Sequence, residues 1–119
     1  MSFAGPNDKI LLKLLDASAM RYKVLTNNLT NQHTVGYKRS TVKFEDLLAK
    51  EMSEANPDIQ SVTPEIHMDH VTPGGPDGNN VNAELELNAM AQNRLQYELY
   101  STLLGGRMEL LRTAIQDGR

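Results

Sequence analysis

Glu65, His67, Asp69 and His70 put four ligand-type side chains within six residues, the raw material of a metal site. Such a site needs a frame that converges its ligands and hydrogen bonds behind each one to fix its direction. The surrounding segment supplies no such frame, and solvated histidines are the better reading. Asp77-Gly78-Asn79-Asn80 has the look of a calcium loop, but its Gly comes too early and the closing Glu is missing. That run reads instead as a turn leading into a helix cap. Lys38, Arg39 and Lys43 beside Tyr37 offer a short basic cluster, yet the chain's formal net charge is −3, and phosphate binding normally needs a basic face. No Gly-rich phosphate loop, no Ser or Cys nucleophile motif and no carboxylate pair with a cleft can be assembled. The expectation is no catalysis, no cofactor, no metal and no nucleic-acid partner.

The elements that would have to hold any site are two long helices. Apolar residues recur at Leu11, Leu15, Tyr22, Leu25 and Leu29, a 4-3 spacing broken only at Ser18 and widened by Ile10, Leu14, Ala17 and Val24. One stripe on one face predicts a helix over 8–32, with Asn7 as N-cap and residues 1–6 as a flexible lead. Stepping 4-3 from Ala83 gives Leu87, Met90, Tyr97, Leu104, Met108, Leu111 and Ile115, interrupted at Arg94 and Ser101. This predicts a second helix over 82–116, capped by Asn82 and carrying a coiled-coil-like seam, with Glu84 and Glu86 at its positive end. Gly105-Gly106 costs roughly 2 kcal/mol relative to Ala in a helix interior, which suggests a bend or a close helix approach there.

Between the helices, residues 33–81 lose the pattern. Phe44 to Met52 suits a short helix, and 59–72 shows weak strand alternation in Val62, Ile66 and Met68. Prolines and the run Pro73 to Asn80 mark turns. The connector is expected to order mainly against neighbouring subunits. The whole chain, 1–119, is expected to be one mainly α domain: two long terminal helices in a coiled-coil-like antiparallel hairpin, joined by an irregular connector.

Composition agrees with this. At 119 residues, 39% hydrophobic, with no Trp and two Phe, there is little material for a thick core. Cysteine is absent, so the chain is indifferent to the redox state of its compartment. No stretch approaches a membrane span or has the parts of a secretory signal.

The most specific wording lies where the first helix ends. Asn28, Asn31, Thr34, Gly36, Tyr37 and Lys38 mark a chain leaving a helix and turning sharply, with Gly36 expected at positive φ and Tyr37 as an anchor past the turn. This run resembles the N-terminal signature of bacterial flagellar rod, hook and related axial proteins. Thr30, His33 and Val35 depart locally from that signature. The Asp77-Gly78-Asn79-Asn80 run and the C-terminal helix are also similar to those of the family's rod members. The resemblance implies a structural assembly subunit, not an enzyme. Its partners would be copies of itself, other rod proteins, and the membrane-ring, rod-adaptor and export-gate proteins of the basal body. It would leave the cell through the flagellar type III export channel without a cleaved signal and reside in the periplasmic rod.

Overall fold

The computed structural model describes residues 5–118. Its framework is a pair of helices, α1 (Pro6–Thr30) and α3 (Ala83–Asp117). The 35 residues of α3 span about 52 Å at the usual rise, and the molecule measures 68 × 31 × 17 Å. The pair is antiparallel, as three cross-links show: Asp8 meets Arg107, Ser18 meets Asn93, and Asn28 meets Glu86. Among the described residues no helix is long and apolar enough to cross a membrane.

Both helix starts follow from local chemistry. Asn82 accepts the backbone N–H groups of Glu84 and Leu85, at 3.1 and 3.3 Å, and so caps α3 as its sequence suggests. The start of α1 corrects the expectation: Gly5, not Asn7, is the N-cap, and Pro6 occupies the first turn, where a missing N–H costs nothing. The Asp8 carboxylate accepts the Gly5 N–H at 3.0 Å. The helix also stops at Thr30 and not at 32: the N–H groups of Gln32 and Thr34 donate three residues back, to the carbonyls of Leu29 and Asn31, which tightens the chain out of the α pattern. The expected flexible lead lies largely outside the described residues.

The connector holds more structure than its pattern suggests. It forms β1 (Ser40–Lys43), α2 (Glu45–Met52), a 3-10 turn (Ile59–Ser61) and β2 (Glu65–Met68). The strands pair antiparallel, with Ser40 opposite Met68 and Lys43 opposite Glu65. β1 has no foreshadowing in the sequence reading, and the strand alternation over 59–72 shrinks to four exposed residues, Ile66 and Met68 among them. Nor is the segment left waiting for neighbouring subunits. Phe44 is fully buried just ahead of α2, outside the helix expected to contain it, and packs with Ala17, Leu48 and Val62 into a small core. Ile10 and Leu14 of α1 close over that core. Lys13 and Arg21 then staple the connector to α1, donating to the carbonyls of Val62 (2.7 Å) and Val42 (3.1 Å).

Gly105-Gly106 neither breaks α3 nor admits a close neighbour within the chain. A Cβ at either position would meet nothing within 4 Å.

Candidate functional site: a polar junction and an uncovered seam

The turn after α1 and the turn before α3 dock on each other. Gly36 has φ +74 and Gly78 φ +82, both in the left-handed region that favours glycine. The two backbones meet there: Gly36 N–H donates to the Asp77 carbonyl at 2.9 Å, and a Cβ on Gly78 would lie 3.5 Å from the Gly36 Cα. The Lys38 ammonium donates to the Gly78 carbonyl. Asn79 donates to the carbonyls of Asn31 and Thr34 at 2.8 and 2.7 Å, closing the first turn from outside. Thr34 itself donates from its hydroxyl to the Asn31 side chain. Asn80 accepts the Arg39 N–H at 2.7 Å and donates to the Asp69 carbonyl at 2.9 Å.

Asn28, with no exposed surface, is the hub of the junction. Its amide donates to the Ser40 carbonyl (2.8 Å) and to Glu86 (3.1 Å), and its carbonyl accepts the Ser40 N–H (2.9 Å) and the Tyr37 hydroxyl (3.2 Å). The Tyr37 hydroxyl, which also accepts the Asn27 side-chain amide at 3.2 Å, ties the turn back to α1. Asn28, Asn31, Thr34, Gly36, Tyr37 and Lys38 are all brought together in this one structure.

The ionic part of the junction was not visible in the sequence. Glu86, 1% exposed, accepts Arg39 Nε at 2.6 Å, while Arg39 Nη1 reaches Asp69 at 3.0 Å. Burial works against the Arg39 charge, and the hydrogen bonds to Glu86 and Asp69 overcome it, holding the guanidinium's pKa above its ordinary value. The Thr72 hydroxyl and amide, then Arg39 and the Val71 amide, hold the Asp69 carboxyl far below the usual carboxylate range. Arg39 thus belongs to an internal ion-pair network, not to a basic surface, and Asp69 is taken up by the same network. His67 rests against Glu65 at 3.2 Å.

Glu86 also begins a row along α3. Seven residues on, Asn93 is 4% exposed and donates to the Ser18 carbonyl at 2.9 Å. Tyr100 follows, half-buried, and then Arg107, which holds Asp8. The Arg107 guanidinium and the Gly5 N–H draw the Asp8 carboxyl below its usual range. The row that faces α1 is thus polar at three of its four heptad positions. Buried polar residues at seam positions cost stability and fix register.

The apolar seam residues fall into two sets. On α1, Leu25 is buried and Leu11, Leu15 and Leu29 are half-buried, whereas Tyr22 is exposed. On α3, Met90, Leu104 and Leu111 are half-buried, but Leu87, Tyr97, Met108 and Ile115 stay largely uncovered, at 40–53% exposure. A second flank of α3, with Leu85, Leu95, Leu99, Leu103 and Leu110, is also exposed. A helix apolar on several flanks is normally enclosed by other elements. Here those flanks face solvent.

The fold and this junction define a helical hairpin whose turns are locked by polar contacts and whose long helix keeps apolar flanks open. No family model matches the chain. The chain does resemble flagellar basal body rod protein FlgB along most of its length. It is 28% identical to that protein from Bacillus subtilis (strain 168) over a 133-residue alignment covering the whole of both chains. With the protein of that name from Escherichia coli (strain K12) it shares 28% identity, over 87% of this chain and 88% of the other. With that from Borreliella burgdorferi the identity is 27%, over 76% of this chain and 82% of the other.

Proposed function

We propose that this chain is a single-domain structural subunit of the bacterial flagellar basal-body rod, of the proximal rod protein B type. The observation that carries the reading is the exposure of large apolar side chains on two flanks of α3, including Leu85, Leu99, Leu103, Leu110 and Ile115. Contiguous apolar surface on this scale marks an interaction site, and the likeness to proteins named as rod subunits supplies the kind of assembly. In it, α1 and α3 line a tube and pack with the same helices of neighbouring copies and other rod proteins. The connector contacts adjacent layers and the membrane-ring, rod-adaptor and export-gate proteins. Interlocked seams carry torque, and the tube encloses the export channel. The motif Asn28 to Lys38 acts as an assembly element by fixing the turn from which the connector folds back along α1. The subunit reaches the periplasmic rod through the type III channel without signal cleavage.

The test is to purify basal bodies from the organism that encodes the chain and to delete its gene. Expected are the chain in the basal body, and membrane rings bearing no rod in the deletion strain. A soluble hairpin adaptor or chaperone would be absent from basal bodies. A proximal rod protein C-type subunit would be present there, but a protein B-type chain would have to account for the deleted step alongside it.

A further inference from the structure

Hydrophobic burial alone does not choose which face of α3 meets α1. Leu87, Tyr97 and Ile115 lie uncovered on one flank and Leu85, Leu99 and Leu110 on another, while the row turned to α1 carries Glu86, Asn93 and Arg107. Turning α3 about its axis to set a leucine flank against α1 would bury more apolar surface, at about 25 cal/mol per Å². The junction pins only the start of the helix, where Gly36 meets Asp77, Asn80 accepts the Arg39 N–H, and Asn28 meets Glu86. Arg107 lies 21 residues past Glu86, about 32 Å along the axis. Over that length the polar contacts to α1 are Asn93 with Ser18 and Arg107 with Asp8.

Stability does not explain these two contacts. Asn93 is buried, and although its amide donates to the Ser18 carbonyl, its side-chain oxygen has no partner, a cost on the order of a lost hydrogen bond. A leucine there would carry no such cost, and clefts open on both sides of Asn93 to take its extra bulk. The buried Asp8 with Arg107 is likewise an arrangement that well-packed apolar groups commonly match or better. What polar groups at a seam do secure is one arrangement over its rivals. We infer that Asn93 and the Arg107–Asp8 pair select the face: they hold the far half of α3 in one rotation and so keep α1 off the leucine flanks, which stay uncovered. Rotation in either direction takes Asn93 from the Ser18 carbonyl and parts Asp8 from its cation. Apolar side chains in the row would carry no penalty for the same rotation. The inference concerns the single chain and stands independently of the rod-subunit reading.

The chain contains no cysteine, so spin labels can be placed at will on the purified full-length monomer. Asp16→Cys on α1 and Thr102→Cys on the far half of α3 are both exposed positions. Rotating α3 moves the second label by up to about 10 Å, the width of a helix with its side chains. Pulsed electron spin resonance is expected to give one narrow distance for the labelled parent. In the row variant, Asn93→Leu with Arg107→Leu and Asp8→Asn, the distribution is expected to broaden or gain a second maximum while the helical circular dichroism is kept. Asp8→Asn retains an acceptor for the Gly5 N–H, so the start of α1 is spared. Gln92→Leu with Gln96→Leu adds leucines at exposed positions and should leave the distance narrow. One narrow distance in the row variant, whatever its melting midpoint, would overturn the inference. Loss of its helical signal would do so too, since the row would then be there for stability. A broad distance in the labelled parent would show that the row holds no single face, and equal broadening in the Gln92/Gln96 variant would assign the effect to leucine content; either result would overturn it.

Discussion

Where α1 hands over to the connector, the buried groups are largely polar and are matched within the chain. Asn28 uses both ends of its amide, and Arg39, Asp69 and Glu86 form one network. Along α3 from Leu95 to Ile115 the balance reverses: Leu95, Leu99, Leu103, Leu110 and Ile115 face solvent, and the polar contact to α1 there is Arg107 with Asp8. The first region carries its specificity in hydrogen bonds that only its own residues can complete. The second carries cohesion that only another surface can supply. Damage to the first should therefore appear in the isolated subunit, and damage to the second in assembly.

Arg39→Met should have the largest effect on the isolated chain. It leaves Glu86 buried with only Asn28 as partner, and breaking one side of a buried pair costs about 3–5 kcal/mol. Thermal melting should show a fall of many degrees, with hydrogen exchange rising first at residues 28–40. Retention of the wild-type midpoint would mean that the junction does not hold the fold.

Gly36→Val should cost about 1–3 kcal/mol. Nothing lies within 4 Å of the position its Cβ would take, so the substitution reports on φ +74 alone and not on a clash. Val35→Ala, at a 77% exposed site, should stay within about 0.5 kcal/mol. Equal melting curves for the two variants would remove the positive-φ turn from the account.

Acid should loosen both regions. The carboxyls of Asp69, Asp8 and Glu45 are all lowered in the fold: Asp69 chiefly by Thr72, Asp8 by Arg107, and Glu45 by the forked Arg21 contact. A folded pKa below the unfolded value, about 3.9 for Asp and 4.3 for Glu, gives stability that is present above that value. It is lost as pH falls through the folded pKa. Melting temperature should accordingly be flat near neutrality and drop below about pH 4. Asp69→Asn should lower the midpoint at pH 7 and shrink the drop between pH 7 and pH 3; an unchanged drop would place the acid sensitivity elsewhere.

The two regions also differed in how far the sequence announced them. Periodic leucines made both helices legible to within about two residues at each end, and Asn82 gave the start of α3. Gly36 and the asparagines around it marked the first turn, because few other residues suit such backbone. What escaped were features whose partners lie far along the chain. Glu86 read only as an acidic residue at the positive end of the helix, and Asn93 and Arg107 fell off the 4-3 seam, since nothing local shows that Asn28, Ser18 and Asp8 will stand opposite them. For the same reason Arg39 read as part of a short solvated basic run, and Asp69 as one of four ligand-type side chains with no frame to converge them. β1 escaped because four residues with one buried side chain, Val42, carry no usable period.

Leu110→Lys should have the smallest effect on the isolated subunit and the sharpest contrast with its effect on assembly. Leu110 is 72% exposed, so the change should leave melting within about 0.5 kcal/mol of wild type. If assembly into a rod covers that flank, as proposed, the same change forfeits about 1.5–3 kcal/mol of apolar burial per subunit and adds the desolvation of an ammonium. The loss recurs at each subunit, so rods should fail to form. Leu111→Lys, one residue on and half-buried beside Gly5, Asp8 and Arg107, should impair both the isolated chain and the rod. Glu109→Lys breaks the exposed contact to Arg112 and should be mild in both readouts. Melting of the three purified variants, beside rod yield in basal bodies, separates the two regions. Normal rods with Leu110→Lys would mean that this flank of α3 stays in solvent after assembly, and a clear fall in the melting temperature of the isolated chain would mean that it already packs within the monomer.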